Sequence, residues 1–276
     1  MITNQQQPTP NAQQQSVGGR TAAQQNAGAA SAQTAFLLPH LKPGMRLLDC
    51  GCGPGNVTLE LAKAVAPGQV VGIDVDPSIL AVAEKNRAQG NVRNVKFQTA
   101  DVYALPFDDS SFDAAYAGAL RGHLSEPLRA LREMRRALKP GGVIGIRDAD
   151  FSGLLVWPPC EAIQKAHDIY WKVVQHYGRT SGFSRDARAI LREAGFARCV
   201  GLAFYEYLGT PEETRAYADL EIRFTEQQPY YRVALEQGWV DQATLAQMRE
   251  ELRAWGEHPD AFFARSLCAA IGWKEE

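Results

Sequence analysis

The nine residues Leu47-Leu48-Asp49-Cys50-Gly51-Cys52-Gly53-Pro54-Gly55 constrain this chain more than any other stretch. They read as a buried strand that ends in an acid and enters a glycine-rich turn. A helical pattern follows at once, over residues 57–66. Glycines at such a corner permit positive φ and let a ligand approach the backbone with no Cβ in the way. In open α/β sheets, ligands bind beyond the carboxyl ends of the strands, near a switch point. The spacing also excludes some ligands. A dinucleotide fingerprint is G-x-G-x-x-G, and a P-loop needs Gly-Lys followed by Ser or Thr. Here Gly51, Gly53 and Gly55 alternate, with no lysine after the last. Asp49 disfavours a pyrophosphate and suits a cationic ligand. Taken alone, the motif is also compatible with an ordinary strand–helix turn.

The downstream pattern supplies the context. Val70-Val71-Gly72-Ile73-Asp74 is a second apolar run ending in an acid. It lies about 20 residues on, the distance at which a ribose-binding carboxylate is expected. Residues 95–101 form a third such unit, ending at Asp101, and residues 112–117 read as a fourth strand. Residues 128–138 carry Leu128, Leu131, Met134, Ala137 and Leu138 at helical spacing. That helix must stop at Lys139-Pro140-Gly141-Gly142, and residues 143–146 then give a fifth strand. Strands alternating with helices predict βαβ units and a parallel sheet. Asp76 precedes Pro77 and reads as a helix cap rather than a ligand-binding acid.

These blocks resemble the class I S-adenosylmethionine-dependent methyltransferases, within them the ubiquinone/menaquinone-biosynthesis-type small-molecule group. The resemblance rests on residues 47–55, residues 71–77, Asp101 with Ala104-Leu105-Pro106-Phe107, Ser111-Phe112-Asp113, and Arg132-Glu133-Met134 through Gly142. It is clearest over residues 35–150. It implies an α/β fold: a Rossmann-like seven-stranded sheet with helices on both faces. It implies S-adenosyl-L-methionine as cofactor and S-adenosyl-L-homocysteine as product. By position, Asp49 and the backbone of Gly51, Cys52, Gly53 and Gly55 would surround the methionine end. Asp74, followed by Val75, would hold the ribose. Asp101 and the Val102 amide would meet the adenine, and Ala117 and Gly118 would hold the methionine amine through their carbonyls. Arg20 is a candidate partner for the cofactor carboxylate, as part of a lid.

The rest of the chain is expected to build the acceptor side. Residues 160–177 can form an amphipathic helix, residues 200–208 a sixth strand and residues 266–273 a seventh. Residues 211–264 between those strands are too long for a plain loop, so a helical cap is expected there. Residues 1–33, rich in Gln, Ala, Ser and Asn, read as a flexible N-terminal arm, leaving residues 34–276 as the methyltransferase domain. His123 and Asp150 are candidate general bases for an acceptor that must lose a proton, and Trp157, His167 and Tyr170 are candidate acceptor-site residues.

Composition narrows the function classes. A net charge of −2 over 276 residues leaves no nucleic-acid footprint. No apolar run reaches the about 18 residues of a membrane span, and no basic-then-apolar leader is visible. The five cysteines are unpatterned, which predicts free thiols, no metal site and a cytoplasmic setting. The reading is a small-molecule methyltransferase, monomer or homodimer. A macromolecule (RNA or protein) methyltransferase, or a non-methylating protein that keeps the fold and cofactor, are the alternatives. The acceptor itself is not readable.

Overall fold

A computed structural model describes residues 33–177 and 184–276. Seven strands form one sheet: β1 (Leu47–Cys50), β2 (Val70–Asp74), β3 (Val95–Thr99), β4 (Phe112–Gly118), β5 (Leu138–Trp157), β6 (Arg198–Leu208) and β7 (Phe262–Trp273). Their order is β3-β2-β1-β4-β5-β7-β6. β1 to β5 run parallel, and β7 is antiparallel to both of its neighbours. Between the strands lie α1 (Asn56–Val65), α2 (Pro77–Gln89), α3 (Pro127–Ala137), α4 (Glu161–His176) and α5 (Ala187–Glu193). Three more helices, α6 (Pro211–Gln227), α7 (Pro229–Glu236) and α8 (Gln242–Gly256), separate β6 from β7.

All four residues of β1 are buried, Asp49 included, so the strand shows no alternation of apolar and exposed positions. A central parallel strand is covered on both faces, so it cannot alternate. Leu47 packs with Tyr116, Leu61 and Leu37 on one face, and Leu48 with Ile144, Leu131 and Leu191 on the other. Each such leucine contributes about 1.5–3 kcal/mol by leaving water. Local signals set the helix starts. Asp76 caps α2 by accepting from the Ser78 amide at 2.8 Å. The Asp76 carboxyl is held below its ordinary range by the Ser78 hydroxyl and amide. Thr210 and Glu213 form a capping box on α6.

The expected elements are present, with one informative difference. β5 and β7 are much longer than the residues 143–146 and 266–273 that the apolar pattern marks. Leu138 already bridges to Phe112, and the chain loops out over residues 139–142 before Val143 resumes pairing with Ala114. β5 then continues to Trp157, with a second irregularity where pairing passes from Asp150–Ser266 to Leu154–Arg265. Gly153 sits in that bulge, where a Cβ would come within 2.1 Å of Ser266 Oγ. The polar run from Arg147 to Gly153 hides the strand, because sheet pairing with β7 rather than apolar burial holds it.

β5, β7 and β6 therefore extend as a three-stranded ribbon beyond the carboxyl end of β4. One ribbon face carries Val156, Phe263 and Leu208, paired in register, and packs on the cap. The cap core joins Ile163 and Val173 of α4 with Tyr217, Tyr231, Met248, Leu252 and Trp255. The cap thus includes α4 as well as the helices inside residues 211–264. The other ribbon face exposes Leu155, Trp157, Tyr205, Tyr207 and Phe262.

Candidate active site

The glycine turn is built as its sequence requires. Gly51, Gly53 and Gly55 have φ of 71°, 53° and 81°. A left-handed conformation costs other residues roughly 1–2 kcal/mol. The amides of Gly51 and Cys52 both donate to the Ile73 carbonyl, at 2.8 and 2.9 Å, and lock the turn to β2. Asn86 on α2 donates to the Pro54 carbonyl at 2.9 Å and fixes its far end. The three glycines are not equivalent. A Cβ on Gly55 would lie 2.6 Å from the Phe97 ring, and one on Gly51 would lie 2.8 Å from Leu120. A Cβ on Gly53 would meet no atom of the described residues within 4 Å. Gly53 is therefore the glycine over which another molecule can approach the backbone.

The acids converge on this turn. Asp49 is 2 % exposed, and Thr58 Oγ1 donates to its Oδ2 at 2.6 Å. Burial pushes the Asp49 carboxyl up to about 7, against the pull of the Thr58 hydroxyl, and the neighbouring Asp74 charge adds to the rise. A positive charge placed nearby would restore its ionised form. Asp74 ends β2 and accepts from the Gly53 amide at 3.1 Å and from the Asp76 amide at 3.1 Å. One bond per oxygen leaves acceptor capacity on each, since an ionised carboxylate offers about four lone-pair positions. Val75 beside it is exposed, an apolar surface at the strand end. Asp101 Oδ1 accepts from the Tyr103 amide at 2.9 Å, and Val102 is buried beneath. Ala117 and Gly118 close the row at the end of β4. A cationic sulfonium with a nucleoside fits this donor set: an open glycine turn, one near-neutral buried acid, and two acids at adjacent strand ends.

Other sequence candidates fall in distinct places. His123 lies on a short helical turn, Arg121–His123, directly after β4. Asp150 is 1 % exposed and already engaged: Arg185 Nε donates to Oδ2 at 2.6 Å and the Ser152 hydroxyl to Oδ1 at 2.6 Å. Burial alone would raise the Asp150 carboxyl, but Ser152 and Arg185 together hold it below its usual range. His167 stacks on Phe263 and Tyr170 meets Tyr230 edge-on, so both face the cap core. Trp157 is 60 % exposed and pairs in register with Phe262, on the ribbon face turned away from that core. Arg20 lies outside the described residues. All five cysteines are free, and among the described residues no group of His, Cys, Asp or Glu can hold a metal.

Two further residues at the strand ends belong to no motif. Tyr116 is 2 % exposed, and a Cβ on Gly118 would lie 2.4 Å from its hydroxyl. Arg147 is 6 % exposed and stands in register beside Gly118. Burial raises the Tyr116 hydroxyl, partly offset by Arg147. An arginine inside a strand pattern is the one signal that marks this site in the sequence.

Comparison with known proteins agrees with this geometry. A family model described as "Methyltransferase domain" matches residues 41–195, more than half of the chain. A probable methyltransferase, ltbC, of Aspergillus luteorubrus is 26 % identical over 94 % of this chain and 96 % of its own length. Demethylmenaquinone methyltransferase of Staphylococcus aureus is 32 % identical over 56 % of this chain and 62 % of its own length, so the likeness spans under two thirds of that enzyme. The crystal structure of the YcgJ protein from Bacillus subtilis shares the fold, with a TM-score of 0.60, 18 % identity, and 89 % and 99 % of the two chains covered. With its sheet order, its glycine turn and its acids at the strand ends, the chain belongs to the methyltransferase domain family and is a class I S-adenosylmethionine-dependent methyltransferase.

Proposed function

We propose that this enzyme methylates a small molecule held between the strand ends and the cap. The observation that carries this reading is the ribbon. β5 runs seven pairing positions and a bulge past the end of β4, and its inner face meets a roof of aromatic side chains from α4, α6 and α7. Such a roof suits an acceptor of limited size and apolar character. A net charge of −2 argues against RNA as the acceptor.

In this reading Asp74 accepts from the ribose hydroxyls, Asp101 and the Val102 amide meet the adenine, and Val75 covers its face. Asp49, the turn from Gly51 to Gly55, and the carbonyls of Ala117 and Gly118 surround the methionine end. When bound, the cofactor supplies an electrophilic methyl group on sulfur. The protein's task is to align an acceptor atom in line with that methyl and to keep water away. Orientation of this kind supplies about 7–11 kcal/mol of a barrier. His123, beside the end of β4, is the candidate to take a proton where the acceptor carries one. We assign Asp150 to positioning, because its pairing with Arg185 and Ser152 makes it a weak base and ties β5 to the Ser184–Asp186 turn.

The test is label partition. The protein is incubated with methyl-labelled S-adenosylmethionine and a whole-cell extract, and the product is divided by molecular mass. Label in the small-molecule fraction supports the reading. Label confined to protein or RNA contradicts it.

A further inference from the structure

The inner face of the ribbon continues the face on which Tyr116 and Gly118 lie. Strand register places Arg147 beside Gly118, then Ala149 with Leu267 and Phe204, then Arg265 with Glu206, and finally Phe263 under the cap. Phe36 links the lower part of this face, with ring contacts to both Tyr116 and Phe204. Besides the Tyr116 hydroxyl and the Glu206 carboxylate, the polar groups of this otherwise apolar face are two guanidiniums, Arg147 and Arg265, which are 6 % and 7 % exposed.

The two differ in how their charge is met. Arg265 forms an ion pair with Glu206, its register partner. Arg147 has only neutral partners: its Nη2 donates to Gln33 Oε1 at 3.1 Å, and the Tyr116 hydroxyl lies alongside. Its Nε is buried and makes no hydrogen bond among the described residues, which also holds for Arg265 Nε, but Arg265 has Glu206 to meet its charge. The carboxylates whose fields reach it are occupied elsewhere. Glu206 serves Arg265, and Asp148 points to the opposite sheet face, where Arg121 meets it. Buried charges are normally paired, because an unpaired one loses its hydration without compensation. A buried guanidinium with an unused N–H, one strand beyond Gly118 and at the foot of an aromatic face, lacks one oxyanion.

We propose that Arg147 is the anion-binding residue of the acceptor site, and that the methyl acceptor is an aromatic or apolar molecule bearing a carboxylate. This rests on the small-molecule reading above and names its substrate class. Position selects the acceptor over the cofactor as the source of the carboxylate. The acids of the cofactor site lie at β1, β2 and β3 and its proposed methionine-amine contacts at the end of β4, whereas Arg147 is one strand farther out, on β5. Its face leads toward the cap. The planar guanidinium pairs with a carboxylate through two parallel N–H donors, and Nε is one of the donors in that arrangement.

The experiment uses the full chain in wild-type, Arg147→Lys and Arg147→Met forms. Each is titrated with S-adenosylhomocysteine and with 5′-methylthioadenosine, which lacks the amino-acid end. Each is then saturated with S-adenosylhomocysteine and titrated with benzoate, 4-hydroxybenzoate, cinnamate and indole-3-acetate, and with their primary amides. The expected result is that nucleoside affinities stay unchanged in both variants. At least one carboxylate binds the wild type in preference to its amide, and Arg147→Met weakens it by about tenfold or more. Arg147→Lys, which keeps the charge and guards against loss of the fold, retains part of that binding. If no carboxylate is preferred over its amide, the proposal is wrong. It is equally wrong if Arg147→Met weakens S-adenosylhomocysteine but not 5′-methylthioadenosine, because Arg147 then serves the cofactor. A wild type that binds neither nucleoside overturns the methyltransferase reading itself, a separate outcome.

Discussion

In the proposed function, the floor under the cofactor and the roof over the acceptor are built by opposite means. The floor is backbone: a turn locked by two amides on one carbonyl, three left-handed glycines, and acids where strands end. The roof is side chain: tyrosines, a tryptophan and a phenylalanine from four helices and a ribbon, meeting across long sequence separations. A backbone site tolerates little change in ligand, because its donors are fixed by the fold. A side-chain site can be rebuilt residue by residue while the fold stands. On the proposed function, one chain keeps a fixed cofactor site beside an acceptor site that substitution can rebuild.

Substitutions can break this contrast at either end. The largest effect is expected in the roof. Phe263 is 3 % exposed and packs on Tyr217 at 4.5 Å between ring centres. Phe263→Ala should cost about 3–5 kcal/mol in denaturant unfolding. It should leave S-adenosylhomocysteine affinity unchanged in the protein that remains folded. A matching loss of nucleoside affinity would show that floor and roof are one unit.

Within the floor, two glycines separate packing from binding. Gly55→Ala drives a methyl into Phe97 and should destabilise by about 1–3 kcal/mol from overpacking, in addition to the left-handed strain. Gly53→Ala meets no atom of the described residues, so unfolding should report only the roughly 1–2 kcal/mol of strain. Its nucleoside affinity should nevertheless fall at least about tenfold, a drop of about 1.4 kcal/mol in binding free energy. Equal nucleoside affinity in Gly53→Ala and wild type would remove the turn from the site.

A smaller effect is set by pH. Asp49 carries a folded-state value of about 7, raised from 3.8 chiefly by burial, and Asp148 is raised in the same way to about 6. Between about pH 4 and 7 the folded state therefore holds more protons than the unfolded chain, and stability should fall as pH rises through that window. Above about pH 7 this contribution levels off. Affinity for the cationic cofactor should move the other way, strengthening as Asp49 ionises through about pH 7. In Asp49→Asn the rise should flatten, as calorimetric titrations at about pH 6 and about pH 8 would show. The smallest effect is expected at Trp157, where Ala should change stability by no more than about 0.5 kcal/mol. A large fall in turnover for Trp157→Ala would return the outer ribbon face to the acceptor site.

The same contrast governs what the sequence discloses. The floor is local, so Asp49, Gly53 and Asp74 can be read from a few adjacent residues and a spacing. Asp76 is also legible, because a cap is written within three residues of itself. The roof depends on which strand lies beside which. Nothing near Arg147 in the chain tells that Gly118 stands beside it, or that Gln33 covers it. Trp157 and Val156, neighbours in sequence, lie on opposite faces by strand alternation, and the bulge after Asp150 sets which of the two faces the cap. A bulge shifts the alternation by which strand faces are read, so the register cannot be followed through it from the pattern alone. Asp150 illustrates the remaining gap: its place at a strand end is legible, its engagement by Arg185 is not.

Backbone hydrogen exchange with and without S-adenosylhomocysteine tests the division most directly. The account predicts slowed exchange in residues 51–55, 74–76, 101–103 and 117–119, and none along the outer ribbon face at residues 205–208. Unchanged exchange in residues 51–55 while the ligand binds would contradict it.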